Sequence, residues 1–318
     1  MIKSFSVSQK GASSEPLSSL QASRKTFFID CLEPKEAELK ELVSKVGVTL
    51  SDLKNCLDPH EHARIENRKN YSLIILRAVS LKGRNPTVPI GIFLFRNAIV
   101  LVHGAELKGV SDLLEDYKTL LISDSLSDLI YTVLHHLLLD FSLSLDTIEE
   151  AFAPLEDKAL FTYDKNYPTK IFSSRKTLLY LRKSLSMNRE VIDLIGKGYV
   201  PWIRDLEPFS RLYTEFIQLI DVEELFRERL TSTIDIHLSA TSNRLNEVMR
   251  SFTVIASLLL VPTVISSIYG MNFLFLPFAK HPLGFYFTIG FMAISVSMML
   301  LFFRKKQWFG NGRNRITI

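Results

Sequence analysis

Gly270 and Asn272 close a run of 19 uncharged residues, 251–269, with two neutral oxygen donors. One is a peptide carbonyl that glycine leaves uncovered, and the other is a side-chain carboxamide. Such donors meet a cation by dipole rather than by charge. No acid lies between Ser251 and Ile318, so a ring of carboxylates has no residues to build it. The same run carries small and hydroxylated side chains: Thr253, Ala256, Ser257, Thr263, Ser266 and Ser267. Two readings fit them, a polar lining along one helix face or small residues that let helices pack closely.

Elsewhere the chemistry-bearing residue types do not assemble into a reactive group. Asp58, His60, Glu61 and His62 lack the HExxH spacing of a helical metal site. His136 and Asp140 stand four apart, which on a helix is the spacing of an ordinary polar pair. None of the 13 glycines forms GxGxxG or GxxxxGK, and there is neither a CxxC nor a Ser–His–Asp order. An enzymatic role therefore lacks carrier residues, and no organic cofactor is expected. Cys31 and Cys56 fit buried thiols in a reducing compartment better than a disulfide or metal framework.

The elements that would position Gly270 and Asn272 follow from composition. The chain has 318 residues, 47 % hydrophobic and 23 % charged, with a mean hydropathy of +0.15. That length allows two or three domains and excludes a small stapled fold. The apolar surplus is concentrated, because residues 251–303 hold one formal charge, Lys280. A soluble domain needs more charge than this to cover its surface. The composition points to a membrane protein with a large water-soluble part. The net charge of +4 also has a place. Arg304, Lys305, Lys306, Arg313 and Arg315 make the last 15 residues +5, which leaves −1 for the other 303. A basic tail beside an apolar segment obeys the positive-inside rule and is not the basic face of a nucleic-acid binder. Nucleic acid is excluded as a partner.

Residues 1–24 are Ser-rich, lack the apolar core of a signal peptide and predict a flexible lead-in. Residues 25–122 read as an α/β domain. They have β-rich runs at 25–32, 71–79, 88–95 and 98–103, helical spacing over 35–46, a short helix opened by Thr49 and a helix over 111–121. Residues 123–250 read as helical, broken at Pro168 and again at Gly196, Gly198 and Pro201. From Phe209 to Ser267 the only helix breaker is Pro262, and apolar residues recur three or four apart. One helix over residues 209–270 is predicted, roughly 90 Å long at 1.5 Å per residue. Its end, residues 251–270, is long enough to span a bilayer, and so are residues 283–303. A short loop, residues 271–282, joins them. Arg244 and Arg250 precede the first span, and a basic tail, residues 304–318, follows the second, which predicts both termini in the cytoplasm. Two helices cannot enclose a water-filled path, so passage of anything polar requires a ring of copies. The second span is bulkier, with Phe285, Phe287, Phe291, Phe302 and Phe303, and suits lipid contact.

Tyr269, Gly270, Met271, Asn272 and Phe273 spell YGMNF at the outer edge of the first span. In that position, after a long helix and before one last span and a basic tail, the motif resembles the signature of the CorA family of magnesium and cobalt transport channels. Asn246 and Met249, then Pro262 and Thr263, stand where that family has an NxxM approach and a proline–threonine pair. Leu57, Asp58, Glu61, Arg64, Ile65 and Glu66 resemble its LDxxExxRIE segment, and Arg304 to Trp308 resemble its basic, Trp-containing end.

The resemblance implies an α/β N-terminal cytoplasmic domain, a long helical stalk and two transmembrane helices, assembled as a funnel-shaped homopentamer in the cell's inner membrane. It implies electrophoretic uptake of Mg2+, with Co2+ and Ni2+ as further cargoes. Gly270, Met271 and Asn272 would form the selectivity ring. Asn246, Met249, Phe252, Ala256, Leu260 and Thr263 would line the pore, with Met249 and either Phe252 or Leu260 as a dewetting constriction. Arg304, Lys305 and Lys306 would form a basic cytoplasmic mouth. The family closes its pore when internal Mg2+ is high. Glu149, Glu150, Asp157, Glu223, Glu224 and Glu228 are the acids from which such regulatory sites could come, without a choice among them. The chemistry of the ion agrees. Mg2+ holds its waters tightly, so neutral carbonyls can bind the hydrated ion without stripping it. A divalent cation gains ~4.6 kcal/mol per 100 mV of membrane potential, so no nucleotide is needed. Family members often place acids just after the motif, whereas residues 274–281 here have none and carry Lys280 and His281. A Zn2+-transporting relative is the nearest alternative, although such proteins tend to carry GIN where this chain has Met271. A non-conducting membrane-anchored sensor is the other alternative.

Overall fold

Among the described residues seven strands pair into one sheet, whose central strands are rich in β-branched and aromatic residues. The computed structural model describes residues 2–8, 11–15, 26–80, 85–115, 117, 125–159, 167–272, 276–277, 280–306 and 308, without the side chains of residues 157 and 158. The strands are β1 (Ile2–Ser8), β2 (Gly11–Ser14), β3 (Thr26–Leu32), β4 (Arg64–Asn67), β5 (Ser72–Val79), β6 (Thr87–Leu94) and β7 (Ala98–His103), in the order β2-β1-β3-β7-β6-β5-β4. All neighbours are antiparallel except β3 and β7. Both faces of the central strands are covered, which is why they read as continuous apolar runs. On one face Leu73, Ile75, Phe93 and Val100 join Leu39 and Leu42 of α1 (Glu36–Val46) and Leu53 of α2 (Leu50–Asn55) in a buried cluster. Ile74, Ile92, Ile99 and Leu101 alternate with them and are equally buried. Two long helices, α4 (Leu126–Lys158) and α5 (Tyr167–Gly196), lie against β5.

The flexible lead-in predicted for residues 1–24 is not what Ile2–Ser8 and Gly11–Ser14 form. Phe5, Val7 and Ala12 are buried, and the serines between them are satisfied within the hairpin. Ser6 Oγ lies 2.9 Å from Ser13 Oγ and donates to Glu15 Oε1 at 2.8 Å. Alternation thus overrides a polar composition. The boundary predicted at residue 122 also fails to separate compact units, because α4 and α5 cover the sheet. One unit comprises Met1–Lys158 with Thr162–Thr233, and the other comprises Ala159–Phe161 with Ile234–Ile318.

Within the first unit, Arg77 and Pro89 explain each other. Pro89 lies opposite Arg77 in the β5–β6 ladder and has no N–H to give, so Arg77 turns its own peptide groups to the other side. There β4 has already ended, its Arg64 being paired with Ile75. The carboxamide of Asn188 on α5 takes the place of a strand. It accepts from Arg77 N at 2.8 Å and donates to Arg77 O at 2.7 Å.

A second polar tie holds α3 (Lys108–Glu115) to α4. Asp140 Oδ2 accepts from the N–H of Gly109 at 2.8 Å, and a Cβ on Gly109 would stand 2.6 Å from the carbonyl of His136. Burial pushes the Asp140 carboxyl up to about 6, against the pull of the Gly109 N–H. A folded pKa above the unfolded value means that stability falls as pH rises from about 4 to 6, by about 2–3 kcal/mol in all at ~1.4 kcal/mol per unit. Asp140→Asn keeps the acceptor and removes the charge. It is expected to unfold at higher temperature than the parent at pH 7.5 and to lose that advantage at pH 4.5. Thermal unfolding of the detergent-solubilised protein at both values checks this, and a variant less stable at pH 7.5 would refute it.

The chain then enters α6 (Glu207–Tyr269), one helix of 63 residues that runs past Pro262 without a break, as the unbroken periodicity predicts. The second unit holds its last part and α7 (Gly284–Lys305).

Candidate functional site

The apolar end of α6 and the whole of α7 are each long and apolar enough to cross a membrane. Their large side chains are uncovered: Phe252 is 64 % exposed and Phe285 69 %, while Phe27, Phe28 and Phe93 of the sheet are at 0 %. This inversion requires an apolar surrounding or further protein.

Not every face of α6 is equally bare. Val254 is 2 % exposed, and Leu258, Val261 and Ile265 are partly covered. At 100° per residue these four lie within about 60° of one another. The last of them shares a cavity with Phe287 and Phe291 of α7, so this is the side turned toward α7. Asn246, Met249, Phe252, Ala256, Leu260, Thr263 and Gly270 fall within about 120° on the opposite side, and all are exposed. The residues expected to line a pore therefore form one stripe that α7 does not cover.

Two threonine hydroxyls of this stripe are turned to their own helix. Thr263 Oγ1 donates to Leu259 O at 2.7 Å and Thr253 Oγ1 to Met249 O at 2.8 Å. With the proton so placed, each oxygen presents lone pairs outward and can only accept from a water in front of it. Pro262 adds one more acceptor, because it has no N–H for the Leu258 carbonyl one turn back.

α6 stops at Tyr269. Gly270 N donates to Ser266 O at 2.9 Å and Met271 N to Ile268 O at 3.2 Å, which close the last turn. The Tyr269 hydroxyl donates to Pro277 O at 3.1 Å and ties the helix end to the following loop. Met271 and Asn272 are exposed immediately beyond it, with the carboxamide of Asn272 off the helix and free of its hydrogen-bond ladder. Phe273, residues 274, 275, 278 and 279 of the loop, and Arg313 and Arg315 of the tail lie outside the described residues. Arg304, Lys305 and Lys306 are exposed at the end of α7, where cations also favour the helix dipole. Trp308 stacks near Phe303 at 5.4 Å between ring centroids.

Three of the acids from which regulatory sites could come, Glu149, Glu223 and Glu224, are engaged in ion pairs. Arg229 reaches Glu149 at 3.1 Å and Glu156 at 2.7 Å, and Arg182 reaches Glu223 at 2.9 Å and Glu224 at 3.3 Å. Glu223 is fully buried with Oε1 unpartnered, and burial raises its pKa despite Arg182. Asp157 lies outside the described side chains. Among the described residues no three His, Cys, Asp or Glu converge as metal ligands. The 58–66 segment is structural: Asp58 Oδ1 accepts from His60 N at 3.0 Å, and Arg64 pairs with Glu61 and, at 2.6 Å, with Glu66. Cys31 and Cys56 are free and buried, which pushes both thiols well above their ordinary range.

Sequence reasoning missed the buried polar groups of the sheet. Asp30 Oδ1 lies 2.8 Å from His103 Nε2, whose Nδ1 donates to Ala105 O at 2.6 Å. Burial opposes the charged imidazole, but Asp30 outweighs it and raises His103 overall. The available signal was a charged or polar residue inside an otherwise apolar strand: Asp30 in TFFIDCL, Arg77 in SLIILRAV and His103 in AIVLVH.

Comparison with known proteins bears on the whole chain. Residues 23–305 match the sequence profile of the family described as CorA-like Mg2+ transporter protein. The cobalt/magnesium transport protein CorA of Methanocaldococcus jannaschii is 34 % identical over 288 residues, which is 89 % of this chain and 91 % of that one. The protein of the same name from Thermotoga maritima is 28 % identical over 271 residues, 80 % of this chain and 75 % of that one. The solved structure of the complete CorA magnesium transporter from M. jannaschii superposes with a TM-score of 0.87 and 32 % identity, covering 97 % of this chain and 98 % of that one. An α/β unit, one long helix and a final apolar helix, matched in order over nearly their full length, place this chain in the CorA-like Mg2+ transporter family.

Proposed function

We propose that this protein is a homopentameric channel through which Mg2+, with Co2+ or Ni2+ as further cargo, moves down the membrane potential into the cytoplasm. The observation that carries the reading is the uncovered stripe on α6, from Asn246 to Gly270, opposite the side turned toward α7. A ring of five such stripes encloses a path without acids. Asn272 and the Gly270 carbonyl stand at its outer end and accept hydrogen bonds from the waters of an intact hydrated ion. Thr263 offers an acceptor halfway. Met249 with Phe252 or Leu260 makes an apolar level that closes by dewetting. Both termini lie on the cytoplasmic side, where Arg304, Lys305 and Lys306 meet the headgroups. Rising internal Mg2+ closes the channel through acids of the cytoplasmic part.

The test is flux into proteoliposomes holding an internal Mg2+ dye, with an inside-negative potential imposed. Mg2+ influx that grows with the potential supports the channel. Zn2+ influx without Mg2+ influx assigns the protein to transition-metal transport. No flux from a verified oligomer favours an anchored sensor.

A further inference from the structure

Arg77 is 8 % exposed, and the groups that hold it carry no formal charge. Its guanidinium donates to the carbonyls of Pro59 at 2.8 Å and Glu61 at 3.1 Å through one nitrogen. The other nitrogen donates to Thr87 O at 2.6 Å and Thr87 Oγ1 at 3.3 Å. Carbonyl dipoles satisfy its N–H groups but leave a net positive charge in a desolvated place. The other buried charges of this domain's sheet and of α2 have counterparts: Asp30 in β3 has His103, and Asp52 in α2 has Arg68 at 3.0 Å. The desolvation of Arg77 lowers its pKa, with no carboxylate to restore it.

The charge faces a cavity of about 180 Å3 between the 59–62 loop, β5, β6 and α5. Lys183 stands exposed on its α5 wall, with no acidic partner among the described residues. Glu61, the one acid of the lining, is already engaged by Arg64. Tyr180, Thr87 and His60 complete a wall of polar groups able to donate.

We propose that this cavity is a binding site for a compact oxyanion of the size and charge of inorganic phosphate. Arg77 forms a fixed positive floor, already oriented by its carbonyls, and Lys183 closes over the anion from the rim as the direct cation. Hydroxyl and imidazole N–H groups supply the remaining hydrogen bonds. A phosphate and its nearest waters fit the volume, whereas a nucleoside attached to that phosphate does not. The anion would also tether α5 to the 59–62 loop, so binding stabilises the fold by mass action.

The inference does not rest on transport, and its test needs none. The full-length protein in detergent is titrated calorimetrically with inorganic phosphate at constant ionic strength, and separately with ATP. Saturable phosphate binding is expected, weakened at least 10-fold by Lys183→Glu and several-fold by Lys183→Gln, with a rise in the unfolding temperature of the parent protein only. Lys183 is on the surface, so both variants should unfold at the parent's temperature without phosphate. Absence of saturable phosphate binding would overturn the assignment, and so would equal affinity in parent and both variants. ATP binding more tightly than phosphate would also overturn it, because the cavity has no room for the nucleoside.

Discussion

Asn272→Ala is expected to reduce Mg2+ influx into proteoliposomes by about 100-fold or more at equal incorporation. The variant removes one carboxamide from each of five chains in the proposed ring. A hydrogen bond to a neutral group contributes about 0.5–1.5 kcal/mol net. Five lost together make about 2.5–7.5 kcal/mol in capturing the hydrated ion, and 1.4 kcal/mol is a factor of ten. Asn272 is exposed beyond the last turn of α6, so the loss should leave the unfolding temperature unchanged. The control separates recognition from folding. Influx unchanged in a correctly assembled variant would move recognition away from the motif.

The largest effect on stability is expected at a residue far from that ring. Gly91 lies in β6 between β5 and β7, and a Cβ there would stand 2.0 Å from Cys56 Sγ and 2.7 Å from Cys56 Cβ. Cys56 is 0 % exposed and sits at the end of α2, so it has no space to withdraw into. Gly91→Ala should destabilise by about 3 kcal/mol or more, at the upper end of what overpacking costs. The double variant Gly91→Ala, Cys56→Ala removes the sulfur and keeps the Cβ contact. It should recover part of the loss and exceed the single variant in unfolding temperature, a non-additivity expected of residues in contact. A Gly91→Ala protein as stable as the parent would show that α2 can move off the sheet.

The parts legible in the sequence share a physical cause: a pattern repeated often enough that only one structure satisfies it. The α6 helix is such a case, with apolar residues three or four apart and no glycine over nearly 60 residues. So are β5, β6 and β7, whose β-branched runs are bounded by turn residues. The YGMNF motif could be read because it stood at the end of a span and not because of its letters alone. Long-range choices could not be read. The helical stripes of α4 and α5 show that a face must be buried, but not that β5 buries it. The N-terminal hairpin is hidden because serines that are satisfied across it, Ser6 by Ser13 and Ser4 by the Glu15 carbonyl, look, one at a time, like solvated residues. The side of α6 that α7 covers is likewise a tertiary fact, although each residue of the opposite stripe could be named beforehand.

The order of the sheet also sets a schedule for protein synthesis. β3 is central, but its partner on one side, β7, lies about 65 residues further along the chain. At ~5–20 residues per second a ribosome needs roughly 3–13 s to make that stretch. Throughout this interval TFFIDCL offers an open edge of unpaired peptide groups, the kind of template on which nascent chains aggregate. Once β7 docks, the edges that remain are β2 and β4, four residues each, and β4 carries Arg64 and Glu66. Both are too short, and the second too charged, to recruit another chain. The danger of aggregation is thus confined to the seconds before the sheet closes, and slowing translation between Leu32 and Ala98 should lower the yield of soluble, membrane-inserted protein.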